Sequence, residues 1–464
     1  MRILSRILTF AALPALLLLG AGSSIAGAND HNAGVAKERF GERLRVSVVS
    51  RAPIVLRHRR GPRVKTLEAG KYTIVVHDRS TRDNLHLRGH RVDRKTGIRF
   101  TGSAAWRVRL AAGHVFRYGS DRQSRLGGAF RTVATPVQPT VFATGLLGPR
   151  GLKFGPDGRL YVAEAGSAGS SSTAGQCTQT NPPFTSGSTA RISRLSPRGV
   201  RATVAAGLPS SRSSLGLTIG VADVAFIGRR LYAVIAGAGC SHGVADFPNG
   251  IIRVNRKGSW RLVSNLSAFW QANPTVNPDH VDFHPDGFPY SMVAVGGNLY
   301  VLEGNHGELD RITPSGKVRR VIDTSASQGH TNTNALAYRR KFYVGALGTF
   351  PVVPGTQKIL RVSRSGDLDG IIEGLTAVLG LAFDKRGRLY ALQTTTASGA
   401  PLPDAGSVVR LGRSGRQKLI VTGLNLPTAM TFGPDGALYI SNNGWQAPMT
   451  EARDGQILRV EVPD

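Results

Sequence analysis

One phrase recurs six times along this chain, always ending on Tyr, and such a repeat constrains the fold more than any other feature of the sequence. Gly155-Pro156-Asp157-Gly158-Arg159-Leu160-Tyr161-Val162 has a near copy in Gly433-Pro434-Asp435-Gly436-Ala437-Leu438-Tyr439-Ile440. Weaker copies end at Tyr232, Tyr300, Tyr343 and Tyr390. Each copy reads as a hairpin: an apolar run, a tight turn, and a return strand beginning at Leu-Tyr or its like. A third apolar run follows each hairpin, at 190–195, 250–254, 307–312, 358–362, 407–411 and 456–460. An outer strand ending on Gly-Leu, as at Gly423-Leu424, completes the unit.

Four strands in a repeat of roughly 40–50 residues make the blade of a β-propeller. The steps from Tyr161 to Tyr232 and from Tyr232 to Tyr300 are longer than the later ones, which places insertions in the first two blades, among them 167–187 and 269–288. The sixth unit ends at Asp464 after three strands, and its missing outer-strand phrase stands at the other end, in 140–146. Pairing of that segment with the last blade would close the ring and leave no open edge. Ahead of it, residues 41–133 alternate apolar and polar positions between turn residues, the pattern of a compact β-sandwich. The expected fold class is therefore all-β: a sandwich over 29–135 and a six-bladed β-propeller over 136–464, closed by strand 140–146.

The first 28 residues read as a secretory signal, with Arg2 and Arg6, an apolar run from Ile7 to Leu19, and Ala26-Gly27-Ala28 for cleavage. That run falls short of the ~20 residues of a membrane span, so the mature chain is expected to be secreted, without a transmembrane segment. In an oxidising compartment Cys177 and Cys240 can pair.

The net charge of +30 is unevenly spread. Residues 29–135 carry 24 Lys and Arg against 8 Asp and Glu, whereas 136–464 carry 33 against 21. A domain so basic draws polyanions by its field and by counterion release. Outside the cytoplasm these are envelope phosphates, acidic polysaccharide or anionic lipid, and nucleic acid is not expected. The plainer alternative is charge that is merely solvated.

Propeller ligands approach the central channel or the loops of one face. Glu164 and Glu303 occupy equivalent places after the second strands of their blades. Asn305 and His306 follow the second; Asp282, His284 and Tyr290 precede it; His330, Asn332 and Asn334 open the next blade. Together they are expected to line one mouth and take a small molecule. Glu303 and His306 are the candidates for proton transfer, and Glu164, Glu303 and Asn305 for a hard divalent cation such as calcium, which takes oxygen ligands. An acid in this place also commonly bonds the backbone of a turn. HExxH, CxxC and a phosphate-cradling Gly-rich loop are all missing, so the sequence announces no reaction.

The phrases GLLGPRGLKFGPDGRLYVAEAG, FPYSMVAVGGNLYVLEGNHGELDRI and GLNLPTAMTFGPDGALYISNNG resemble the ScyD/ScyE family, secreted propellers related to the NHL-repeat type, over about residues 137–464. The sandwich, through Leu67–Ile74, Asp83–Leu87, Ala112–Phe116 and Gly128–Phe130, resembles a cupredoxin. Carried over, the copper ligands of that fold fall on Asp83, Gly119, Arg122 and Leu126, none of which is the required His, Cys or Met. The resemblance thus implies a copper-free sandwich, with Arg122 and Arg125 near the former metal loop as a basic docking surface, and His86, a lone histidine, reads as surface or structural rather than as a ligand. Two functions stand open: a secreted ligand- or partner-binding scaffold of the envelope or matrix, and an extracellular metal-dependent lactonase or lyase acting on a small polar compound or secondary metabolite. Related lactonases place a metal at the channel acids, which is what the resemblance adds to the second.

Overall fold

The computed structural model describes residues 42–59, 61–133, 135–412, 415–445 and 454–463. The signal segment expected over 1–28 lies outside them. Six successive sheets follow one another from residue 140 onward, each built by neighbouring strands in chain order. Their first strands are Pro149–Phe154, Val221–Ile227, Pro289–Val295, Thr333–Arg339, Val378–Phe383 and Ala429–Phe432. Each lies beside the first strand of the next sheet, and the first beside the sixth, so the six blades form a ring around a channel. Thr140–Leu146 pairs antiparallel with Gly455–Val460, bringing Thr140 opposite Arg459 and Leu146 opposite Gly455. The last blade is completed by the segment that precedes the first.

Packing explains why the repeat keeps its Tyr. Tyr161 meets Phe226 of the next blade edge-on with ring centres 5.0 Å apart, and Tyr343 meets Phe383 at 5.0 Å and Tyr390 meets Phe432 at 4.9 Å in the same way. Tyr439 carries this across the closure, touching Phe154 of the first blade and Phe142 of the closing strand at 5.1 Å each. Edge-to-face pairs of this kind contribute about 0.5–1.5 kcal/mol beyond the area they bury. Tyr161 and Tyr439 also donate their hydroxyls to Asp157 and Asp435 of their own turns, at 3.1 and 3.0 Å. In the first and last blades one Tyr therefore fixes a hairpin and ties it to its neighbour.

The first blade departs from the four-strand expectation. Its third and fourth strands, Phe184–Leu195 and Arg201–Ser213, run on past the blade, and Thr218–Ile219 pairs with the extension as a fifth strand. The end of the 167–187 insertion, from Phe184, is taken into the sheet, and the rest lies outside the strands, tied to the extension by the bridge between Ser171 and Ser186. Cys177, in that insertion, is bonded to Cys240 of the second blade. On the chain-entropy account, closing a loop with a separation of 63 residues stabilises the fold by about 4 kcal/mol.

Residues 43–133 form two sheets around one core. Arg43–Val48 turns Leu44, Val46 and Val48 inward and Arg43, Arg45 and Ser47 outward, the period-two pattern of a half-buried strand. The four-stranded sheet has the order Val55–His58, Arg43–Val48, Gly70–Asp78, Gly102–Leu110. The five-stranded sheet has the order Thr66–Glu68, Gly128–Val133, Val115–Gly119, His86–Gly89, Val92–Lys95. At one end Asp83, fully buried, accepts from the Arg51 backbone at 3.1 Å, from Ser120 Oγ at 3.0 Å and from Gln123 Nε2 at 3.2 Å. His86 lies between two carboxylates, Nδ1 at 2.6 Å from Asp121 and Nε2 at 2.7 Å from Asp93. Polar side chains hold this end together. Among the described residues no helix is long and apolar enough to cross a membrane.

Candidate functional site

Side chains from several blades converge at one mouth of the channel. Arg150 comes from the first strand of blade one, Tyr290 from that of blade three, Asn334 from that of blade four and Leu379 from that of blade five. Asp282, His284 and Phe288 come from the insertion before blade three, Asn305 from the end of its second strand, and Phe350 and Trp445 from loops of blades four and six. The space they enclose is about 50 Å³.

The polar groups are held in place by one another. Asn305 Oδ1 accepts the His284 backbone N–H at 2.8 Å, and its Nδ2 donates to the Asp282 carbonyl at 2.5 Å, so the second strand of blade three pins the insertion. Asn332 sits at φ 49°, a left-handed conformation that Asn tolerates better than most residues, and its Oδ1 accepts from Asn334 Nδ2 at 2.7 Å. Asn334 is fully buried, and its own Oδ1 has no donor. Tyr290 reaches across the channel to donate to the Thr428 carbonyl at 3.2 Å, and the Arg150 guanidinium lies 5.9 Å from its ring centre. Burial pushes the Tyr290 hydroxyl above the ordinary phenol value, with Arg150 acting against it. Phe350 and Trp445 meet edge-on at 5.9 Å beside these groups.

His284 is set more firmly than an ordinary surface histidine. His242 Nε2 lies 2.7 Å from His284 Nδ1, and His242 Nδ1 lies 2.7 Å from the Ala238 carbonyl, which fixes His242 with its proton on Nδ1. Burial, and then the adjacent His284, pull His242 down to about 3, so it is neutral in ordinary solution. The other nitrogen of His284 is 3.3 Å from Asp282 Oδ1, a close contact without the alignment of a hydrogen bond. An imidazole in this position can take up or release a proton at Nε2 beside a half-exposed carboxylate.

Of the residues singled out from the sequence, Asp282, His284, Tyr290, Asn305, Asn332 and Asn334 are brought together at this mouth. Glu164, Glu303, His306 and His330 are not among its lining residues. Both Glu303 oxygens are taken by backbone donors: Oε1 by Phe288 at 2.5 Å and Asn305 at 3.2 Å, Oε2 by His306 at 2.5 Å. Glu164 accepts the Leu147 N–H at 2.6 Å and a proton from Ser193, and pairs with Arg191 at 2.8 Å. These donor sets do not fit a calcium ion, because the oxygens it would need are already spent on N–H, hydroxyl and guanidinium groups. Among the described residues no cluster of three or more His, Cys, Asp or Glu is placed to hold a metal. His306 turns away, its ring stacked on Phe283 at 5.1 Å and its Nε2 3.0 Å from the His284 carbonyl. His330 lies 2.9 Å from Asp279. Burial works to raise Asp279, but His330 and two backbone N–H groups hold it well below the ordinary carboxylate value.

Sequence reasoning passed over Arg150, His242, Phe350 and Trp445. For His242 there was no signal, since its partner lies 42 residues on.

No protein-family model and no curated protein matches the chain. Among solved structures it is similar to a putative oxidoreductase (glucose dehydrogenase) of Thermus thermophilus, at 20% identity over 70% of this chain and 100% of that one, TM-score 0.44. It is also similar to a gluconolactonase of Xanthomonas campestris, at 10% identity over 70% and 90% of the two chains, TM-score 0.42. A streptogramin B lyase is a third, at 13% identity over 70% and 97%, TM-score 0.36. The propeller is established by the order of the sheets and the ring they form. The ScyD/ScyE and cupredoxin resemblances rest on the sequence phrases alone.

Proposed function

We propose that this chain is a secreted binding protein of the ScyD/ScyE type, in which the propeller mouth takes a small polar compound and the basic sandwich holds the molecule to an anionic polymer of the envelope or matrix. The observation that carries the first part is the mouth itself. Three amides, a carboxylate, an imidazole and a guanidinium surround a space walled on one side by Phe288, Phe350 and Trp445, and the buried Asn334 Oδ1 lacks a donor. A buried acceptor left open costs about 1–3 kcal/mol, which a ligand hydroxyl or N–H would recover. The enclosed 50 Å³ is far below the ~300 Å³ of sites that swallow drug-sized ligands. A ligand therefore inserts one polar end and lays the rest against Phe350 and Trp445.

Calorimetric titration with a panel of aldonolactones, polyols and hydroxy acids tests this. Asn334→Ala and Trp445→Ala should each weaken the best binder at least tenfold with little change in melting temperature. Binding that ignores both substitutions would place the ligand elsewhere.

The fixing of His284 by His242 favours one second reading, a lactonase or lyase that uses His284 to move a proton. Lactone turnover lost in His284→Asn, kept in Glu303→Gln and followed with and without chelator would support it; an inert wild-type protein would end it.

A further inference from the structure

Two open sheet edges meet on the sandwich. Val92–Lys95 is the last strand of the five-stranded sheet and Gly102–Leu110 the last of the four-stranded one. A cleft of about 750 Å³ lies against both, lined by Arg88, Arg91, Arg94, Arg107 and Arg109 together with His90. Asp93 is the carboxylate among its lining residues, and it is engaged by His86. Charged residues are a common guard on open edges against pairing with another chain. That role accounts for arginines on the edges but not for what adjoins them.

A second cleft, of about 920 Å³, lies where the sandwich meets blade five. Arg131 and His114 enter it from the sandwich, Arg410, Arg416 and Lys418 from the propeller, with Glu68 at its side. Burial, then Arg410 and Arg388, hold the Lys418 ammonium below its ordinary value, and among the described residues lining the cleft Glu68 is the one carboxylate. Arg410 Nη1 is buried with no hydrogen-bond partner. The clefts touch: His114 of the second stacks on His90 of the first, ring centres 4.0 Å apart.

We propose that the two clefts form one cationic track, from the open sandwich edge across the domain junction onto blade five, that binds a linear acidic polysaccharide along its length. The inference rests on the reading that the basic sandwich takes a polyanion and adds the propeller's share of the site. Both clefts are concave, which suits a thread-like chain and not the plane of a membrane. No Trp, Tyr or Phe is among the described residues lining either one, and the His90 and His114 rings are stacked on each other, which leaves nucleobases little aromatic surface. Guanidinium forks match carboxylates and sulfates two bonds at a time.

The test uses the full mature chain with fluorescently labelled heparin oligosaccharides, a tetrasaccharide and a dodecasaccharide, titrated at rising salt. Arg91→Ser/Arg94→Ser alters the sandwich cleft and Arg416→Ser/Lys418→Ser the junction; Arg91, Arg94 and Arg416 are exposed and Lys418 half-buried, and melting curves confirm that each variant is folded. Each pair should weaken the dodecasaccharide at least tenfold and lower the salt slope by about one to two. The tetrasaccharide, too short to span both clefts, should lose little to at least one of the pairs. A junction variant that binds the dodecasaccharide as wild type does would overturn the track while leaving the sandwich reading intact. Wild-type protein with no salt-dependent binding would overturn both. Equal affinity for single-stranded oligothymidylate of matched charge, or for anionic vesicles, would overturn the assignment to a polysaccharide.

Discussion

Gln393 and Asn442 do with neutral amides what Glu164 and Glu303 do with carboxylates. Each stands three residues after the repeated Tyr of its blade. Gln393 accepts the Thr376 N–H at 2.7 Å and Asn442 the Asn425 N–H at 2.9 Å, just as the two acids capture Leu147 and Phe288 where the chain enters their blades. Where the position carries an acceptor, a neutral amide serves as well as a charge; in the other two blades Ile235 and Ala346 stand there. Glu303→Gln should therefore unfold in urea within about 1 kcal/mol of wild type, whereas Glu303→Ala, which strands three buried N–H groups, should lose roughly 3 kcal/mol or more. A Gln variant as unstable as the Ala variant would mean that the charge itself matters. The equivalence of the two acids was visible in the sequence. Their role was not, because the groups they satisfy are backbone atoms that spacing cannot reveal.

Strand Glu308–Ile312 of blade three buries two acids on one face, as residues two apart in a strand must. Trp270 Nε1 donates to Asp310 Oδ2 at 2.8 Å and Arg320 pairs with Glu308 Oε2, while Glu308 Oε1 and Asp310 Oδ1 are buried with no hydrogen-bond partner, a need that one proton between them would meet. Burial, then the Glu308 charge, raises Asp310 well above the ordinary carboxylate value; burial also raises Glu308, against Arg320. The folded chain thus keeps a proton that the unfolded chain releases, and the stability this gives is present in acid and lost as pH climbs above the ordinary carboxylate range. His242 acts in the opposite sense: held at about 3, it contributes stability above its ordinary 6.5 that is lost as pH falls toward 3. Asn in place of Asp310 keeps an acceptor for Trp270 and gives Glu308 a permanent donor. Thermal melts from about pH 4 to pH 9 should show Asp310→Asn most stable at a higher pH than wild type, and curves that merely shift in parallel would contradict the shared proton. The sequence displayed this strand within a residue of its bounds but not the pair's chemistry, since Trp270 belongs to a short helix in the insertion and Arg320 to the outer strand.

Ring closure is the property on which the mouth depends, because Arg150 and Trp445 belong to blades that meet only through it. The closing strand was legible as a displaced copy of an outer-strand phrase, and it spans Thr140–Leu146 as expected. Repeat arithmetic of that kind says which positions reach one face of a propeller. It cannot say which side chains turn into the channel, and so it offered Glu164 and His306 alongside Asn334 and left Phe350 unnoticed. In the ring, Leu146 is almost wholly buried and shares a core with Leu152, Val162 and Ile457, and the backbone of its strand covers the edge of Gly455–Val460. Leu146→Ala removes the packing alone and should cost about 2–4 kcal/mol. Replacing 140–146 by a Gly-Ser stretch of equal length removes the pairing as well and bares an apolar strand edge, the situation that drives edge-to-edge association. In sedimentation and urea unfolding the Leu146→Ala protein should remain monomeric with a lower midpoint, while the Gly-Ser protein should self-associate and lose cooperative unfolding of the propeller. A Gly-Ser protein that stays monomeric and unfolds at the wild-type midpoint would show that the ring does not need this strand, and the mouth would then have to be held together by the inner strands alone.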